Sequence, residues 1–420
     1  MELKRVVVTG LGEITPIGHG VEATWQAMLK GKSGAAPITR FDATTYKTQF
    51  ACEVKDFDPT TIIDKKDARR EDEFVHFALY AADEAMRDAA FDMDNEDKDR
   101  MGVIWGSGMG GLRSFQNAAF DAATAGEEPI RLSPFTIISL ICDIAAGHIS
   151  LRYGLCGPNY ATASACSSSS HAIADAFNQI RLGKANVILA GGSEAAVAKM
   201  GVSGFNAMHA LSTRNDDYEH ASRPFTGSRD GFVIGEGAGC LVLEELEHAK
   251  ARGAKIYAEL VGEGMTADAY HITAPDPDGR GAEKVMRLAL EDAAVKTSEV
   301  DYINAHGTST PLGDIAELNA IQRLFGEDAY KLNISSTKSM TGHLLGGAGA
   351  IEAIVAIKAI ENNIVPPTIN HTEGDEDERI DYRLNFTFNQ PQKRKVNVAI
   401  SNTFGFGGHN ACLVFKRYND

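Results

Sequence analysis

The stretch "AKIYAELVGEG", residues 254–264, decides the fold, because an alternation of strands and helices begins there for the second time. It has the pattern of a buried strand, and it is followed by the helix-like segment "GAEKVMRLALEDAAV" and by "VDYINAHGTST", a strand that runs into a loop. The first alternation begins at "RVVVTGLG" and continues through "MGVIWGSG" and "ANVILAGGSEA". Buried strands that alternate with helices are typical of α/β folds. We therefore predict two α/β halves, residues 1–253 and 254–420.

The length agrees with this division, since 420 residues are many for a single layered domain. No long linker or low-complexity segment lies between the halves, so we expect them to pack tightly together. Sequence identity between the halves is not visible, and a duplication is therefore indicated by the order of the elements alone.

The composition limits the classes of function. The chain has 41 basic and 57 acidic residues, a net charge of −16, which makes a general nucleic-acid binder unlikely because phosphate binding needs a basic face. The apolar run Val6–Val8 is too short for a signal peptide, and no apolar stretch approaches the roughly 20 residues of a membrane span. We expect a cytoplasmic protein with no membrane partner.

The six cysteines form no CxxC pair and no disulfide-like framework, so we expect reduced thiols and no metal site. Cys166 is the exception to consider, because it lies among alanines and serines in "NYATASACSSSSHAI" and precedes a predicted helix, Ser167–Leu182. A helix N-terminus favours a thiolate, and its free N–H groups can stabilise an oxyanion. Small neighbours indicate that a substrate or another helix approaches the sulfur. Without partners, a packed core cysteine is the better interpretation.

Two histidines are candidate partners. His306 lies just past a strand in "NAHGTST", and His343 lies in the Gly-rich loop "TKSMTGHLLGGAGA". Both occupy loop positions between small residues, as Cys166 does, which favours a Cys/His catalytic site. Lys338 either supports that site electrostatically or is a surface lysine.

Two glycine-rich segments allow alternative interpretations. "GSGMGG", residues 106–111, follows a strand and matches the dinucleotide-binding pattern GxGxxG. No convincing acidic residue ends a second strand about 20 residues later, so a tight turn is favoured. "SNTFGFGGHN", residues 401–410, either aims a backbone N–H into a pocket or is an ordinary turn before the final strand.

Long strings of the sequence resemble the β-ketoacyl-acyl-carrier-protein synthases of the thiolase superfamily, and most of all their elongating synthase II group from type II fatty-acid synthesis. The resemblance covers essentially the whole chain and is carried by "ASACSSS", "RDGFVIGEGAG", "NAHGTSTPLGD", "SSTKSMTGHLLGGAGA" and "SNTFGFGGHN". It implies a thiolase-like, five-layered αβαβα fold of two related halves and a homodimer.

The resemblance also implies an activity. This is a decarboxylative Claisen condensation, in which malonyl-acyl-carrier protein and a cysteine-bound acyl chain give a 3-oxoacyl-acyl-carrier protein that is two carbons longer. The implied partner is the acyl carrier protein, whose phosphopantetheine carries the substrate, and no separate cofactor or metal is expected. The alternative is a condensing enzyme of a specialised polyketide or aryl-polyene pathway.

Roles for individual residues follow from the same resemblance. Cys166 is the expected nucleophile, the N–H groups of Cys166 and Phe404 the expected oxyanion hole, and His306 and His343 the expected donors to the malonyl thioester carbonyl. Phe404 also resembles the gating phenylalanine. The resemblance also implies supporting residues near the histidines, Lys338 and Glu317, and a site for the pantetheine arm, Thr308 and Thr310. It implies an acyl tunnel lined by Met109 and Phe205. A carrier-docking segment is expected at Lys65, Lys66, Arg69 and Arg70.

The docking segment "DKKDARRED" has a competing interpretation, because four nearby acids, Asp64, Asp67, Glu71 and Asp72, offset its basic residues. The sequence also departs from many relatives at His409, where they carry threonine, and at His209, where some carry an arginine. Two other classes of function stay open at this point. An oxidoreductase would bind nicotinamide at residues 106–111, and a non-catalytic subunit would set chain length without using Cys166.

Overall fold

The computed structural model describes residues 3–126 and 129–419. Its main strands are β1 (Val6–Thr15), β2 (Met101–Gly106), β3 (Asn159–Thr162), β4 (Val187–Glu194), β5 (Gly237–Glu245), β6 (Ala258–Ala267), β7 (Tyr302–Asn304), β8 (Asn333–Ser335), β9 (Val398–Gly405) and β10 (His409–Lys416). Two-residue strands lie at Gly18–His19, Ala36–Pro37, Phe50–Ala51, Ile364–Val365 and Gln392–Lys393.

The helices alternate with these strands. They are α1 (Val21–Leu29), α2 (Lys65–Ala68), α3 (Glu73–Ala89), α4 (Leu112–Thr124), α5 (Thr136–Leu140), α6 (Ile144–Tyr153), α7 (Ser168–Arg181), α8 (Lys199–Ala207), α9 (Leu246–Ala251), α10 (Arg280–Asp292), α11 (Gly313–Phe325), α12 (Lys338–Thr341) and α13 (Ala348–Asn362). The predicted helix after Cys166 corresponds to α7, with both ends within one residue of the expectation.

The two halves repeat one strand order. Across the first half the order is β1-β5-β4-β2-β3, and across the second it is β6-β10-β9-β7-β8. If the strands of each half are counted along the chain, both halves therefore have the spatial order first, fifth, fourth, second, third. The directions repeat as well, since β2 is parallel to β3 and β4 as β7 is parallel to β8 and β9. The remaining neighbours are antiparallel in both halves.

The sheets of the halves meet at their first strands, which the sequence did not indicate. Residues Val6, Val7 and Val8 of β1 pair antiparallel with Leu260, Glu259 and Ala258 of β6. Together with Gly18–His19, the strands form one eleven-stranded sheet. Two α/β halves were expected to fit the sequence better than one continuous sheet, and this is corrected: each half has the same strand order, but hydrogen bonds between β1 and β6 join both halves into one sheet.

The helices form layers around the two parts of the sheet. The helices α7 and α13 pack against each other and lie between the sheet parts, where every residue of α13 from Ala348 to Ile360 is buried. The helices α3 and α6 cover the outer face of the first half, and α10 and α11 cover that of the second. This is the five-layered α/β arrangement expected from the sequence. The division at residue 253 stays a prediction, and Met1, Glu2 and Asp420 at its outer limits lie outside the described residues.

The serines after Cys166 allow the two central helices to approach closely. Ser169 Oγ accepts a hydrogen bond from the Ala350 amide at 3.0 Å, and a Cβ on Gly349 would lie 2.1 Å from Ser170 Oγ. Larger side chains at these positions would push α13 away from α7. Part of the small-residue run near Cys166 therefore serves helix packing.

Candidate active site

The predicted functional residues meet at one edge of the sheet. Cys166 follows β3, His306 follows β7, His343 follows β8, and the hairpin after β9 closes the group. These are the carboxyl ends of the parallel strands, where α/β folds place their ligands. Cys166, His306 and His343 line one cavity of about 480 Å³, together with Thr308, Thr310 and Phe205.

Cys166 sits on a sharp turn. The preceding residue, Ala165, has a φ of 51°, in the left-handed region that costs roughly 1–2 kcal/mol for a residue with a Cβ. The Ser168 hydroxyl stabilises the turn, since it accepts from the Ser164 amide at 2.9 Å and donates to the Ala165 carbonyl at 2.7 Å. A Cβ at Gly405 would lie 3.1 Å from the Cys166 nitrogen, so glycine is needed there.

Burial controls the ionisation of Cys166. Desolvation raises the pKa of this thiol to about 12, although the Lys338 cation and the Phe406 N–H both act to lower it. The expectation that the helix N-terminus favours a thiolate is therefore outweighed, because Cys166 is only 7% exposed. With its pKa raised to about 12, the Cys166 thiol is neutral near pH 7.

The second amide near the sulfur belongs to Phe406. Its backbone N–H hydrogen bonds to Cys166, and its ring packs in the same apolar cluster as Cys166 and Phe205. Phe404 lies two residues earlier, within β9 and paired with Asn410, and its ring contacts that of His306 at 5.6 Å between centroids. The sequence analysis expected Phe404 to supply the second oxyanion donor and the gating ring, whereas the amide that contacts Cys166 is that of Phe406. The two roles themselves stay predictions.

His306 is held through its backbone by Glu317. The Glu317 carboxylate accepts from the amides of His306, at 2.9 Å, and Gly307, at 2.8 Å. Glu317 is itself buried, which raises its pKa to about 7. Burial, followed by the charge of Lys338, lowers the pKa of His306 well below its ordinary value, so the imidazole is neutral.

His343 is also a neutral imidazole. Burial lowers its pKa well below the ordinary value, and Lys338 acts in the same direction. Its Nδ1 accepts a hydrogen bond from the Leu345 amide at 3.3 Å, which places the ring proton on Nε2. The rings of His306 and His343 are 5.3 Å apart between centroids and nearly perpendicular.

Lys338 lies behind the cavity. It is 2% exposed, which excludes the surface-lysine interpretation, and its Nζ forms an ion pair with Glu352 of α13. Burial raises the pKa of Glu352 to about 7, while Lys338 acts to lower it. The sequence analysis missed Glu352, although an acid within the apolar run "GAGAIEAIVAI" indicates a paired charge.

The glycine-rich turn at residues 106–111 is filled by a side chain of the protein. The Glu194 carboxylate accepts from the amides of Gly108 at 2.9 Å and Met109 at 3.1 Å, and from the Ser107 hydroxyl at 3.2 Å. It also accepts from the Gly346 amide of the second half at 3.0 Å. The donors that a nucleotide phosphate would use are thus occupied, so the tight-turn interpretation holds. Glu194 is a second residue that the sequence analysis missed.

The residues expected to contact substrate fall in two places. The hydroxyls of Thr308 and Thr310 are 3.0 Å apart and line the cavity. Phe205 also lines the cavity, and it belongs with Met109 to the apolar cluster that includes Cys166. Glu317 lines the cavity as well, in addition to holding the His306 loop. His209, on which the sequence departs from some relatives, is exposed and also lines the cavity.

The basic segment lies outside the cavity lining. Lys65, Lys66 and Arg69 are exposed on and just after α2, whereas Arg70 is half-buried, pairs with Asp67 and stacks on the Phe135 ring. Across residues 3–126 and 129–419, no group of three or more His, Cys, Asp or Glu side chains could hold a metal ion. No helix in the same ranges is long and apolar enough to cross a membrane.

Residues 3–249 match the family described as beta-ketoacyl synthase, N-terminal domain, and residues 257–372 match the family's C-terminal domain. The chain belongs to the beta-ketoacyl synthase family. A 3-oxoacyl-[acyl-carrier-protein] synthase 2 from Synechocystis is 50% identical over 418 residues, covering 100% of this chain and 99% of the relative. A protein of the same name from Staphylococcus aureus is 49% identical over 415 residues, covering 99% of each chain.

Solved structures agree with this membership. A beta-ketoacyl synthase from Burkholderia phymatum superposes with a TM-score of 0.91 at 37% identity, covering 99% of this synthase and 100% of that chain. A type II polyketide ketosynthase, solved in complex with its acyl-carrier protein, superposes with a TM-score of 0.90 at 34% identity and the same coverage.

These findings confirm the predicted family, the thiolase-like fold and the enzyme class. This synthase is an acyl-transferring 3-oxoacyl synthase of fatty-acid elongation. The specialised polyketide alternative is not favoured, because the relatives at about half identity carry the synthase 2 name while the polyketide ketosynthase is only 34% identical.

Proposed function

We propose that Cys166, His306 and His343 divide the condensation into an acyl transfer at the thiol and a decarboxylation between the imidazoles. The observation that carries this division is that one cavity is lined by the three side chains while both histidines are held neutral. A neutral imidazole keeps one ring N–H, which can donate a hydrogen bond to a developing oxyanion.

In the first step the Cys166 sulfur attacks the thioester carbonyl of an acyl carrier. The oxyanion accepts hydrogen bonds from the amides of Cys166 and Phe406, and the pantetheine thiol leaves with the proton that the Cys166 thiol gives up. A neutral resting thiol suits this exchange, since the proton it loses is the one that the leaving thiolate needs.

In the second step malonyl carrier enters the vacated site. Its bond to the carboxylate breaks, CO₂ leaves, and the electron pair forms an enolate whose oxygen accepts from His306 and His343. The enolate carbon attacks the Cys166 thioester, and the tetrahedral adduct expels the thiolate and gives the 3-oxoacyl carrier. The expelled Cys166 thiolate takes up one proton from water, which restores the neutral thiol. With that proton the step balances, so the proposal includes no cofactor and no metal.

Two sets of side chains would hold the substrate. The paired hydroxyls of Thr308 and Thr310 suit the amides of a pantetheine arm, because each hydroxyl can donate or accept. Met109 and Phe205 would line the acyl tunnel, since they belong to the apolar cluster that includes Cys166. We assign the gate of that tunnel to Phe406, whose amide contacts Cys166 and whose ring lies 6.5 Å from that of Phe205 between centroids.

The carrier would dock on the basic segment at α2. Two of the four acids that offset this segment in sequence are turned inward: Asp72 caps α3 and binds Ser114, and Glu71 faces His148 at 3.3 Å. The side chains of the segment that stay exposed carry a net positive charge, from Lys65, Lys66 and Arg69. This charge suits an acidic carrier and would speed its encounter with the protein.

A second copy of the chain would cover an apolar face of the first half. The strand β3 is the edge of the sheet and has half-exposed residues, and the neighbouring helices expose large apolar side chains: Phe115 and Phe120 on α4, Ile137 and Ile138 on α5, and Leu151 on α6. Such an edge invites strand pairing and such a patch invites association. We therefore assign a homodimer, acting in the cytoplasm with a soluble carrier.

The condensation assay tests these assignments together. Wild-type protein is mixed with an acyl carrier and a malonyl carrier, and the product is identified by its mass as the 3-oxoacyl carrier. Triple charge reversal at Lys65, Lys66 and Arg69 should raise the half-saturating carrier concentration more at low salt than at high salt, while reversal of the exposed Lys284 should not. The docking assignment fails if the triple variant is saturated like the wild type.

The dimer is tested by light scattering after size exclusion. The wild type should have twice the mass of one chain, and Leu151→Asp should shift the mass toward one chain, whereas Leu3→Asp at an exposed position elsewhere should not. A monomeric wild type at micromolar concentration contradicts the assignment.

A further inference from the structure

Two side chains that follow Cys166 hold the hairpin that carries Phe406. Ser167 comes directly after the nucleophile and His171 lies one turn further along α7. Both reach backbone groups of the hairpin formed by β9 and β10. The nucleophile and the amide opposite it are thereby connected through side chains rather than through the sheet alone.

Ser167 binds the hairpin close to its turn. Its hydroxyl lies 2.8 Å from the His409 carbonyl oxygen and 3.2 Å from that of Thr403, one on each strand. The side chain is fully buried, so both contacts are protected from water. A hydrogen bond in such a place is costly to leave unmade, because the carbonyls would lose their partner without gaining solvent.

His171 connects the hairpin to the residue two positions before the nucleophile. A ring N–H of His171 binds the Asn410 backbone carbonyl, and its Nδ1 lies 2.6 Å from Ser164 Oγ. Burial is the largest influence on this ring and lowers its pKa, which leaves a neutral imidazole able to donate at one nitrogen and accept at the other. The His171 ring therefore links Ser164, in the turn before Cys166, to Asn410 of the hairpin.

The hairpin needs this support because its turn is rich in glycine. Gly407 and Gly408 both have positive φ values, 87° and 73°, and Gly405 has no room for a Cβ against the nucleophile turn. A glycine-rich segment is intrinsically free to adopt many conformations. The amide of Phe406 between these glycines keeps a fixed place near the sulfur only if the strands on either side are held.

We propose that Ser167 and His171 are positioning residues that fix the Phe406 amide opposite the Cys166 sulfur, so that it stabilises the oxyanion of acyl transfer. The inference rests on the proposed function, in which that amide is an oxyanion donor. Neither side chain contacts the substrate in this account. Their effect is on geometry, to which oxyanion stabilisation is sensitive: displacement by about 1 Å can cost on the order of a hundredfold in rate.

The test is single-turnover acylation of the full-length protein by a medium-chain acyl carrier, followed by intact mass over a range of carrier concentrations. Ser167→Ala should lower the maximal acylation rate by about 10–100-fold and leave the half-saturating concentration unchanged. Ser167→Thr keeps the hydroxyl and should restore most of the rate. His171→Leu should behave like Ser167→Ala, and His171→Gln, which retains a donor and an acceptor, should recover part of the loss.

Ser170→Ala is the matched control. Ser170 is buried in the same helix, and its hydroxyl has no hydrogen-bond partner among the described residues. It should acylate at the wild-type rate. Thermal melting of each variant shows whether it is folded.

The outcomes separate the two claims. Wild-type protein that is never acylated at Cys166 overturns the proposed function and this inference with it. If the wild type is acylated at Cys166 and the Ser167→Ala and His171→Leu variants are acylated just as fast, the inference alone is overturned. It is also overturned if Ser170→Ala lowers the acylation rate as much as Ser167→Ala does, since that result would reflect general loosening of α7.

Discussion

The amide of Leu345 donates a hydrogen bond to Nδ1 of His343 across 3.3 Å. This contact fixes the tautomer, because an Nδ1 that accepts leaves the proton on Nε2. Burial and the nearby Lys338 cation keep the ring neutral, so it can donate but does not carry a charge into the cavity. His343 thus has one ring N–H, at Nε2, that can donate a hydrogen bond, as the proposed function requires.

Replacement of His343 should separate the two steps of the reaction. His343→Ala should slow CO₂ release from malonyl carrier by about 10²–10³-fold, the usual cost of one oxyanion donor, and should change Cys166 acylation far less. His343→Asn retains an N–H and should keep part of the activity. The exposed His220→Ala serves as the control. A variant that loses acylation but still releases CO₂ would assign His343 to the wrong step.

The Cys166 thiol should become more reactive as the pH rises. Its pKa of about 12 means that the thiolate fraction, and with it the rate of alkylation by iodoacetamide, should grow about tenfold per pH unit between roughly pH 7 and pH 9. Peptide mapping follows Cys166, and the exposed Cys156 reports reagent consumption. A rate that is already level near neutral pH would show that Lys338 and the Phe406 amide outweigh burial.

The buried pair of Lys338 and Glu352 should be costly to break. Lys338→Met should destabilise the protein by about 3 kcal/mol at mildly alkaline pH, because an unpaired carboxylate would then be buried. The loss should be smaller at acidic pH, where Glu352 takes up a proton, and smaller again in the double variant Lys338→Met/Glu352→Gln.

Urea unfolding measures these differences in the free energy of unfolding. Lys331→Met is the control, since Lys331 is 70% exposed and pairs with Asp328 at 2.9 Å. That surface pair should contribute less than about 1 kcal/mol. Equal losses for Lys331→Met and Lys338→Met would mean that the buried pair is solvated in practice.

Glu71 should make the stability of the protein depend on pH. Burial raises its folded pKa to about 7, above the value near 4.3 of an unfolded chain. Its contribution is therefore fully present below about pH 4.3 and is lost as the pH rises through about 7. Glu71→Gln should raise the melting temperature relative to wild type at about pH 8 and should not do so near pH 4.

Differential scanning fluorimetry over this range checks the sign. Glu247→Gln, at a position whose side chain is 74% exposed, should leave the pH profile unchanged. If Glu71→Gln instead lowers the melting temperature at about pH 8, the contact of Glu71 with His148 is a stabilising ion pair in the folded protein.

Local motifs made much of the site predictable. Cys166 and His306 each follow closely on the end of a strand, and His343 follows the short helix α12, so each lies among small residues that can be read from neighbouring positions alone. The repeat of strands and helices along the chain was also visible, because the second alternation begins at residue 254, but the order of the strands within the sheet was not predicted.

The errors and omissions arose where the answer depends on distant parts of the chain. Glu194 meets Gly346 across 152 positions, and no local pattern connects them. The choice between Phe404 and Phe406 could not be made locally, because a strand and its turn both carry a phenylalanine, and only the folded hairpin shows which amide faces the sulfur. The expectation that the helix N-terminus favours a Cys166 thiolate did not hold for a similar reason. Burial, which raises the pKa of this thiol, is a property of the packed fold.

The central claim, that Cys166 carries the acyl chain and that condensation removes it, is tested most directly by intact-protein mass in two stages. After mixing with acyl carrier alone, the protein should gain one acyl mass that maps to Cys166. Addition of malonyl carrier should release CO₂, return the protein to its original mass and give a carrier product two carbons longer. An adduct elsewhere, or CO₂ release and product formation that persist in Cys166→Ala, would contradict the account.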